Sequence, residues 1–190
     1  LIVLASASPR RRQLLEMLGI AHRVDAPDVP EEPEPGEEPE ALAVRLAREK
    51  ALRVAARHPG LPVLGADTVV VLGKQMLGKP ASPEDAARML GLLSGREHRV
   101  ITAVALVRNG EVRHRCDVTR VWFRPLSAAV IADYVATGEP MDKAGAYGVQ
   151  GYGAVLVERI EGDFFSVMGL PVRLVVELLE EAGLGYRFTR

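Results

Sequence analysis

An α/β fold is what this sequence predicts, because strand-like and helix-like runs alternate along its 190 residues. Three stretches carry that expectation. The first, Leu1-Ile-Val-Leu-Ala5, is a short apolar run of strand type that turns through Ser6-Ala-Ser8-Pro9 into a helix. The second, Leu61 to Leu72, is the most strand-like run in the chain and follows a helical stretch, Ala41 to Arg57. In the third, Glu97 to Val107 and Glu111 to Phe123 read as two strands joined by Asn109-Gly110, the dipeptide best suited to a tight hairpin.

Composition narrows the class. Hydrophobic residues make up 48% of the chain and the net charge is −1, which is globular rather than disordered and too neutral for general affinity to nucleic-acid polymers. No apolar run approaches membrane-span length, and the leading one is too short for a signal peptide. Cys116 is the sole cysteine, which suits a reducing compartment, and the cytoplasm is the expected one. Of the 24 Lys and Arg residues only Lys50, Lys74, Lys79 and Lys143 are lysines. Those four are worth locating singly, since lysine and arginine are not interchangeable at a phosphate.

In the opening helix Ser8 takes the N-cap position and Pro9 the first helical position. Leu14, Leu15 and Leu18 supply an apolar stripe that Gly19 ends. Arg10, Arg11 and Arg12 crowd the first turn, where the helix dipole is positive and acidic residues are preferred. The arrangement is an anion trap or, more plainly, a solvated basic turn. Asp25 to Glu40 holds eight acidic residues and five prolines, so it predicts an extended loop. A loop of that length is a solvated linker or a binding loop, with Asp28-Val-Pro-Glu31-Glu32 the part that could face a site.

On the Ala41–Arg57 helix, Ala43, Leu46, Ala47, Ala51 and Val54 share one face, and Lys50 falls in the middle of it. Such a lysine snorkels to water or reaches a phosphate. Asp67 sits inside the Leu61–Leu72 strand between apolar neighbours. A buried carboxylate without a partner costs several kcal/mol, so Asp67 needs a metal, a strand-end opening or an ion pair with an arginine.

Gly78-Lys79-Pro80 lacks P-loop spacing, and Ser82-Pro83-Glu84-Asp85 starts a helix to about Leu93. Ser127 starts another, closed by Gly138. The stretch Met141 to Gly153 is rich in glycine, at 145, 148, 151 and 153, which allows close approach to a flat ligand or simply serves turns. Within it Gln150 offers both a donor and an acceptor for a base edge. A strand over Ala154–Ile160 follows, and Gly169-Leu-Pro171 leads into a final helix closed by Gly183. The four histidines lack metal-ligand spacing, and His98, His114 and Cys116 read as structural or surface residues.

Seven short motifs stand in order along nearly the whole chain: Leu4-Ala-Ser-Ala-Ser-Pro-Arg-Arg11, Leu46-Ala-Arg-Glu-Lys50-Ala, Gly65-Ala-Asp-Thr-Val69, Leu77-Gly-Lys-Pro80, Leu93-Ser-Gly-Arg96, Asp142-Lys-Ala-Gly-Ala-Tyr-Gly-Val-Gln-Gly151 and Val167-Met-Gly-Leu-Pro171. Together they resemble the Maf proteins, septum-formation-inhibitor-like nucleoside triphosphate pyrophosphatases. The resemblance implies one domain over residues 1–190: an elongated, curved mixed β-sheet with flanking helices, in two lobes around a cleft, similar to the inosine triphosphate pyrophosphatases.

It also implies hydrolysis of a nucleoside triphosphate to the monophosphate and pyrophosphate with a divalent cation, Mg²⁺ or Mn²⁺. Ala146-Tyr-Gly-Val-Gln-Gly151 looks like the branch acting on dTTP and UTP, the sister branch that prefers 7-methyl-GTP having a different sequence there. By motif match Asp67 is the proton acceptor, and Arg11, Thr68 and Gln150 are positions associated with substrate choice. Ser6, Arg10, Lys50 and Lys79 are expected to bind phosphate. Asp67 and Glu31 are expected to hold the metal, Asp28 to Glu31 fitting the family's Asp-x-x-Glu with Glu32 adjacent. The expected partner is the nucleotide, with no nucleic-acid polymer and no membrane, and a homodimer is left open. A regulator of septum formation that senses its nucleotide is the alternative from a different class.

Overall fold

The computed structural model describes residues 1–188, and among these seven strands and six α-helices follow one another in mixed order. In chain order they are β1 (Ile2–Ala5), α1 (Pro9–Met17), β2 (His22–Val24), α2 (Pro39–Ala55), β3 (Val63–Leu72), β4 (Gln75–Leu77), α3 (Pro83–Leu93), β5 (Glu97–Arg108), β6 (Glu111–Phe123), α4 (Ala128–Ala136), β7 (Val157–Glu161), α5 (Phe164–Met168) and α6 (Val172–Glu181). The sheet order is β2-β1-β3-β5-β6-β7, with β4 paired to β3. Parallel and antiparallel pairs both occur, so the mixed α/β expectation holds. No helix among the described residues is long and apolar enough to cross a membrane.

The chain divides into two compact units, one of residues 1–67, 102–117 and from 169 onward, the other of residues 68–101 and 118–168. In the first, β1 runs parallel to both β2 and β3, with Val3 opposite Val63 and Ala5 opposite Gly65. Helix α1 joins β1 to β2 and helix α2 joins β2 to β3, as parallel crossovers require. Ile2 to Ala5 are all buried, as expected for a strand covered on both faces.

The buried face of α2 contains Ala43, Leu46, Ala47, Lys50, Ala51 and Val54, as its periodicity predicts. Gly65 lets this helix sit directly on β3. A Cβ there would lie 2.3 Å from the Ala47 carbonyl oxygen and 2.8 Å from the Ala51 amide nitrogen. Leu174, Val175, Leu178 and Leu179 bury the inner face of α6, which gives way to Gly183 at φ +72°.

In the second unit β4 folds back on the end of β3, and β7 pairs with β6 through a shift in register between Trp122 and Phe123. Its core is built from Leu90, Leu93, Phe123, Tyr134, Tyr147 and Leu156. Ser82 and Ser127 cap α3 and α4, accepting from the Asp85 and Val130 amides. His98 lies among these aromatic rings, edge-on to Phe123 and Tyr147, with Nε2 2.7 Å from the Tyr147 hydroxyl.

Four details differ from the sequence reading. β2 has no apolar run to announce it and exists through parallel pairing with β1. Helix α2 begins at Pro39, two residues before the expected Ala41, with proline at its first position. Tyr152–Leu156 forms a 3₁₀ turn, so the strand expected from Ala154 begins only at Val157; the Ala154 amide donates back to Gly151. Finally α5 is five residues long, too short for periodicity to reveal, and is started by Asp163, whose Oδ1 accepts from the Phe165 and Ser166 amides. At α1, Ser8 does occupy the N-cap position, yet its side chain makes no capping bond.

Two measurements test this account. Gly65→Ala is expected to destabilise the protein by about 2 kcal/mol or more in urea unfolding, because the contact lies against helix backbone that cannot rotate away. Burial pushes the His98 imidazole down to about 4, from an ordinary 6.5. As pH falls between those values the unfolded chain takes up a proton that the folded chain refuses, so stability drops across that window, by at most about 3 kcal/mol. Thermal unfolding from pH 7 to pH 4 should show a shallower fall for His98→Gln.

Candidate active site

The first unit holds six of the expected site residues, Ser6, Arg10, Arg11, Glu31, Lys50 and Asp67. β1 ends at Ala5, and the turn that follows places Ser6 where its Oγ accepts from the Ser8 amide at 3.2 Å and from Arg11 Nη1 at 3.1 Å. Arg11 is one position into the helix interior from Arg10 and turns inward. Its Nε donates to the Gly169 carbonyl at 2.7 Å and its Nη1 to the Ala66 carbonyl at 2.8 Å. Arg11 is therefore buried, and burial lowers its pKa while nearby Asp67 opposes that effect. Arg10 is half-buried, whereas Arg12 is exposed and pairs with Glu16 one turn on. The basic first turn thus splits by depth: one arginine welds β1, β3 and the α6 approach together and another faces water.

Asp67 is 6% exposed in the middle of β3. Its sequence-predicted need for a partner is met by a lysine rather than an arginine, with Lys50 Nζ 2.7 Å from Asp67 Oδ1. The same ammonium donates to Glu31 Oε1 at 2.6 Å. Lys50, expected at a phosphate, is here the cation between two carboxylates. Burial raises the Asp67 pKa, Lys50 and Arg11 pull it down, and the Glu31 charge adds to the rise. Of the two adjacent acids, Glu31 is the one that reaches Lys50, while the backbone carbonyl of Glu32 accepts from Arg45 Nη2 at 3.1 Å.

How the acidic loop reaches Lys50 was not legible beforehand. Arg45, on α2, grips it: Nε and Nη2 donate to the two carboxylate oxygens of Glu37 at 2.7 and 2.8 Å. That fork holds the Glu37 carboxyl down at about 2. At the other end of the loop, Asp25 accepts from Arg57 and lies 2.7 Å from His58 Nε2, partners that lower its pKa. The loop therefore runs beside α2, fixed at both ends, with Glu31 delivered between them. Arg45 Nη1 also donates to Glu49, one turn on along α2, at 3.3 Å.

The second unit holds Thr68, Lys79 and Gln150. Thr68 follows Asp67 along β3 and is half-buried, and Lys79 and Gln150 are exposed. The Gly145 amide donates to the Gly78 carbonyl at 3.1 Å, so the turn carrying Lys79 and the start of the glycine-rich loop lie together. The glycines of that loop make room for the protein itself rather than for a flat ligand. A Cβ at Gly145 would meet Val70, one at Gly148 would meet Lys143, one at Gly151 would meet Glu139, and one at Gly153 would meet Gly148 and Tyr134. A hollow of about 280 Å³ lined by Arg108, Asn109, Glu111, Arg113, Glu181 and Ala182 contains none of the candidate residues.

The first unit thus holds a strand–turn–helix entry with a buried arginine, and a lysine shared between an embedded aspartate and a loop glutamate. Residues 1–182 match the family described as Maf-like protein, and the chain belongs to that family. A protein of Myxococcus xanthus named dTTP/UTP pyrophosphatase is 54% identical over 188 residues, covering 97% of this chain and 93% of its own. One of Geobacter metallireducens with the same name is 52% identical over 185 residues, 96% of each chain. Among solved structures the Staphylococcus aureus Ham1 protein has a TM-score of 0.45 at 15% identity, over 82% of this chain and 79% of that one.

If Arg45 holds the acidic loop in place, Arg45→Ala should raise its susceptibility to a glutamate-specific protease at Glu31 and Glu37 several-fold. The melting temperature should fall modestly as well, since the Arg45–Glu37 pair is partly buried.

Proposed function

We propose that this chain hydrolyses dTTP and UTP to the monophosphate and pyrophosphate. One observation carries the reading: a carboxylate, Asp67, is kept buried and ionisable by Lys50 in a chain whose half-identical relatives bear the name dTTP/UTP pyrophosphatase. Residues 1–190 work as one catalytic domain, and the cytoplasm, where nucleotides are made, is the expected setting.

In the reaction a water oxygen bonds to the α-phosphorus as the bond from that phosphorus to the bridging oxygen breaks. The water's proton passes to the Asp67 carboxylate, and the pyrophosphate departs with the bridging oxygen. Burial suits Asp67 to this, because a carboxylate stripped of solvent is a stronger base than an exposed one. Arg10, Lys50 and Lys79 offset the negative charge of the triphosphate, and Ser6 orders the turn beside it. Arg11, fixed by three hydrogen bonds, is a rigid element of that turn and bears on substrate choice through its position. Thr68 and Gln150 supply polar groups for the base, with the Gln150 amide able to donate and accept along one edge.

The donor set fits a hard divalent cation. Two carboxylates, from Asp67 and Glu31, already converge on one positive group, the Lys50 ammonium. Mg²⁺ or Mn²⁺ is commonly held by one or two carboxylates, with phosphate and water oxygens completing the shell. Bound by Asp67 and Glu31, such an ion would lower the pKa of a coordinated water and screen the phosphates.

Asp67→Asn is expected to cut pyrophosphate release from dTTP by at least about a hundredfold, the usual worth of a general base, with dTTP affinity altered only a few-fold. Near-normal turnover in this variant would remove Asp67 from the role. A panel of dTTP, UTP, CTP and 7-methyl-GTP with Mg²⁺ tests the substrate assignment, the first two being expected to dominate.

A further inference from the structure

Gln150 is exposed at the crest of a loop with glycine at positions 148, 151 and 153. Such a loop has much conformational freedom to lose, yet a side chain that discriminates bases by hydrogen bonds must be held to a fraction of an ångström. One carboxylate supplies the hold. Glu139 Oε1 accepts from the Tyr134 hydroxyl at 2.8 Å and from the Gly153 amide at 3.0 Å, and its Oε2 accepts from the Tyr152 amide at 2.9 Å. The Tyr134 hydroxyl in turn accepts from the Gly148 amide at 3.0 Å. Backbone donors before and after Gln150 are thus drawn to Glu139, directly or through one phenol.

The surrounding contacts make this grip specific. A Cβ at Gly151 would stand 2.3 Å from Glu139 Oε2, and one at Gly153 would stand 2.7 Å from the Tyr134 hydroxyl. The glycines are required because the clamp occupies the space their side chains would fill. Lys143 Nζ donates to the Glu139 backbone carbonyl at 2.6 Å, closing the loop's root on the same residue. Three donors point at the Glu139 side chain, so only an acceptor on both oxygens satisfies them. The same bonds hold its carboxyl below the ordinary glutamate range despite partial burial.

We propose that Glu139, with Tyr134 as its relay, is a positioning residue for substrate choice, fixing the loop that presents Gln150 to the nucleotide base. This rests on the assignment of Gln150 as a base-reading residue. Uracil and thymine offer a ring N–H and a carbonyl along the edge where cytosine offers a ring nitrogen and an amino group. Loss of the clamp should therefore relax the preference for UTP over CTP more than it slows turnover.

The test is steady-state pyrophosphate release from dTTP, UTP and CTP by the full-length protein, by Glu139→Gln, Tyr134→Phe and Gln150→Ala, and by the Glu139→Gln/Gln150→Ala double variant. Glu139→Gln sets an amide donor against a backbone donor and should raise KM for UTP and lower the UTP-to-CTP ratio of kcat/KM, each about tenfold, with kcat within about threefold. Tyr134→Phe keeps the ring in the core and should shift both quantities the same way by a smaller factor. The double variant should lose no more selectivity than Gln150→Ala alone. An unchanged ratio in Glu139→Gln and Tyr134→Phe, alongside a lost ratio in Gln150→Ala, overturns the clamp and leaves the Gln150 reading intact. An unchanged ratio in Gln150→Ala overturns both. A uniform fall in kcat for every nucleotide makes Glu139 a merely structural residue and overturns the proposal.

Discussion

The contact between Lys50 and Asp67 is the constraint around which the first unit is built. A carboxylate inside a central strand must be paired or neutral, and the nearest element able to bring a cation is the helix lying on that strand. For Lys50 to reach it the helix must touch the sheet, and it does so at Gly65, two residues before Asp67, where no side chain intervenes. Arg11 adds a second buried positive charge, bonded to the Gly169 and Ala66 carbonyls and to Ser6 Oγ. Asp67 is left with charge around it from several directions but with few bonds committed, which keeps its protonation responsive to whatever binds.

Much of this was legible in the sequence, for particular reasons. Lys50 stood out because helical periodicity put it on an apolar face, and Asp67 because apolar residues flanked it in a strand; both are buried as those patterns require. The Asn109-Gly110 hairpin was legible because both residues take positive φ, at +50° and +82°. Tertiary contacts without local pattern were not legible. Asp67's partner lies 17 positions away along the chain, and the hold of Arg45 on Glu37 runs backwards along a loop of no regular structure. Glu139 carried no signal at all: a glutamate between Gly138 and Pro140 looks like turn chemistry.

The glycine-rich loop shows how a correct sequence observation can point at the wrong object. Glycines at such spacing do mean close approach, but what approaches is the protein's own Glu139, Lys143, Tyr134 and Val70. The loop is shaped from within, by the second unit's own side chains. Gln150, on its outer side, is one of the few residues there whose side chain the packing leaves exposed.

The acidic loop has a thermodynamic consequence of its own. Its five prolines narrow the backbone choices of the unfolded segment, so laying it beside α2 loses less entropy than a loop of that length ordinarily would. What then holds it are charge pairs that differ in exposure. The pair at its start, Asp25 with Arg57, lies toward solvent, whereas Glu37 beside Arg45 and the Lys50 ammonium that meets Glu31 are largely enclosed. Dissolved salt screens exposed charges over about 8 Å at physiological strength and enclosed ones much less. Rising ionic strength would therefore peel this segment from its Asp25 end, leaving the contacts at Glu31 and Glu37 the last to let go.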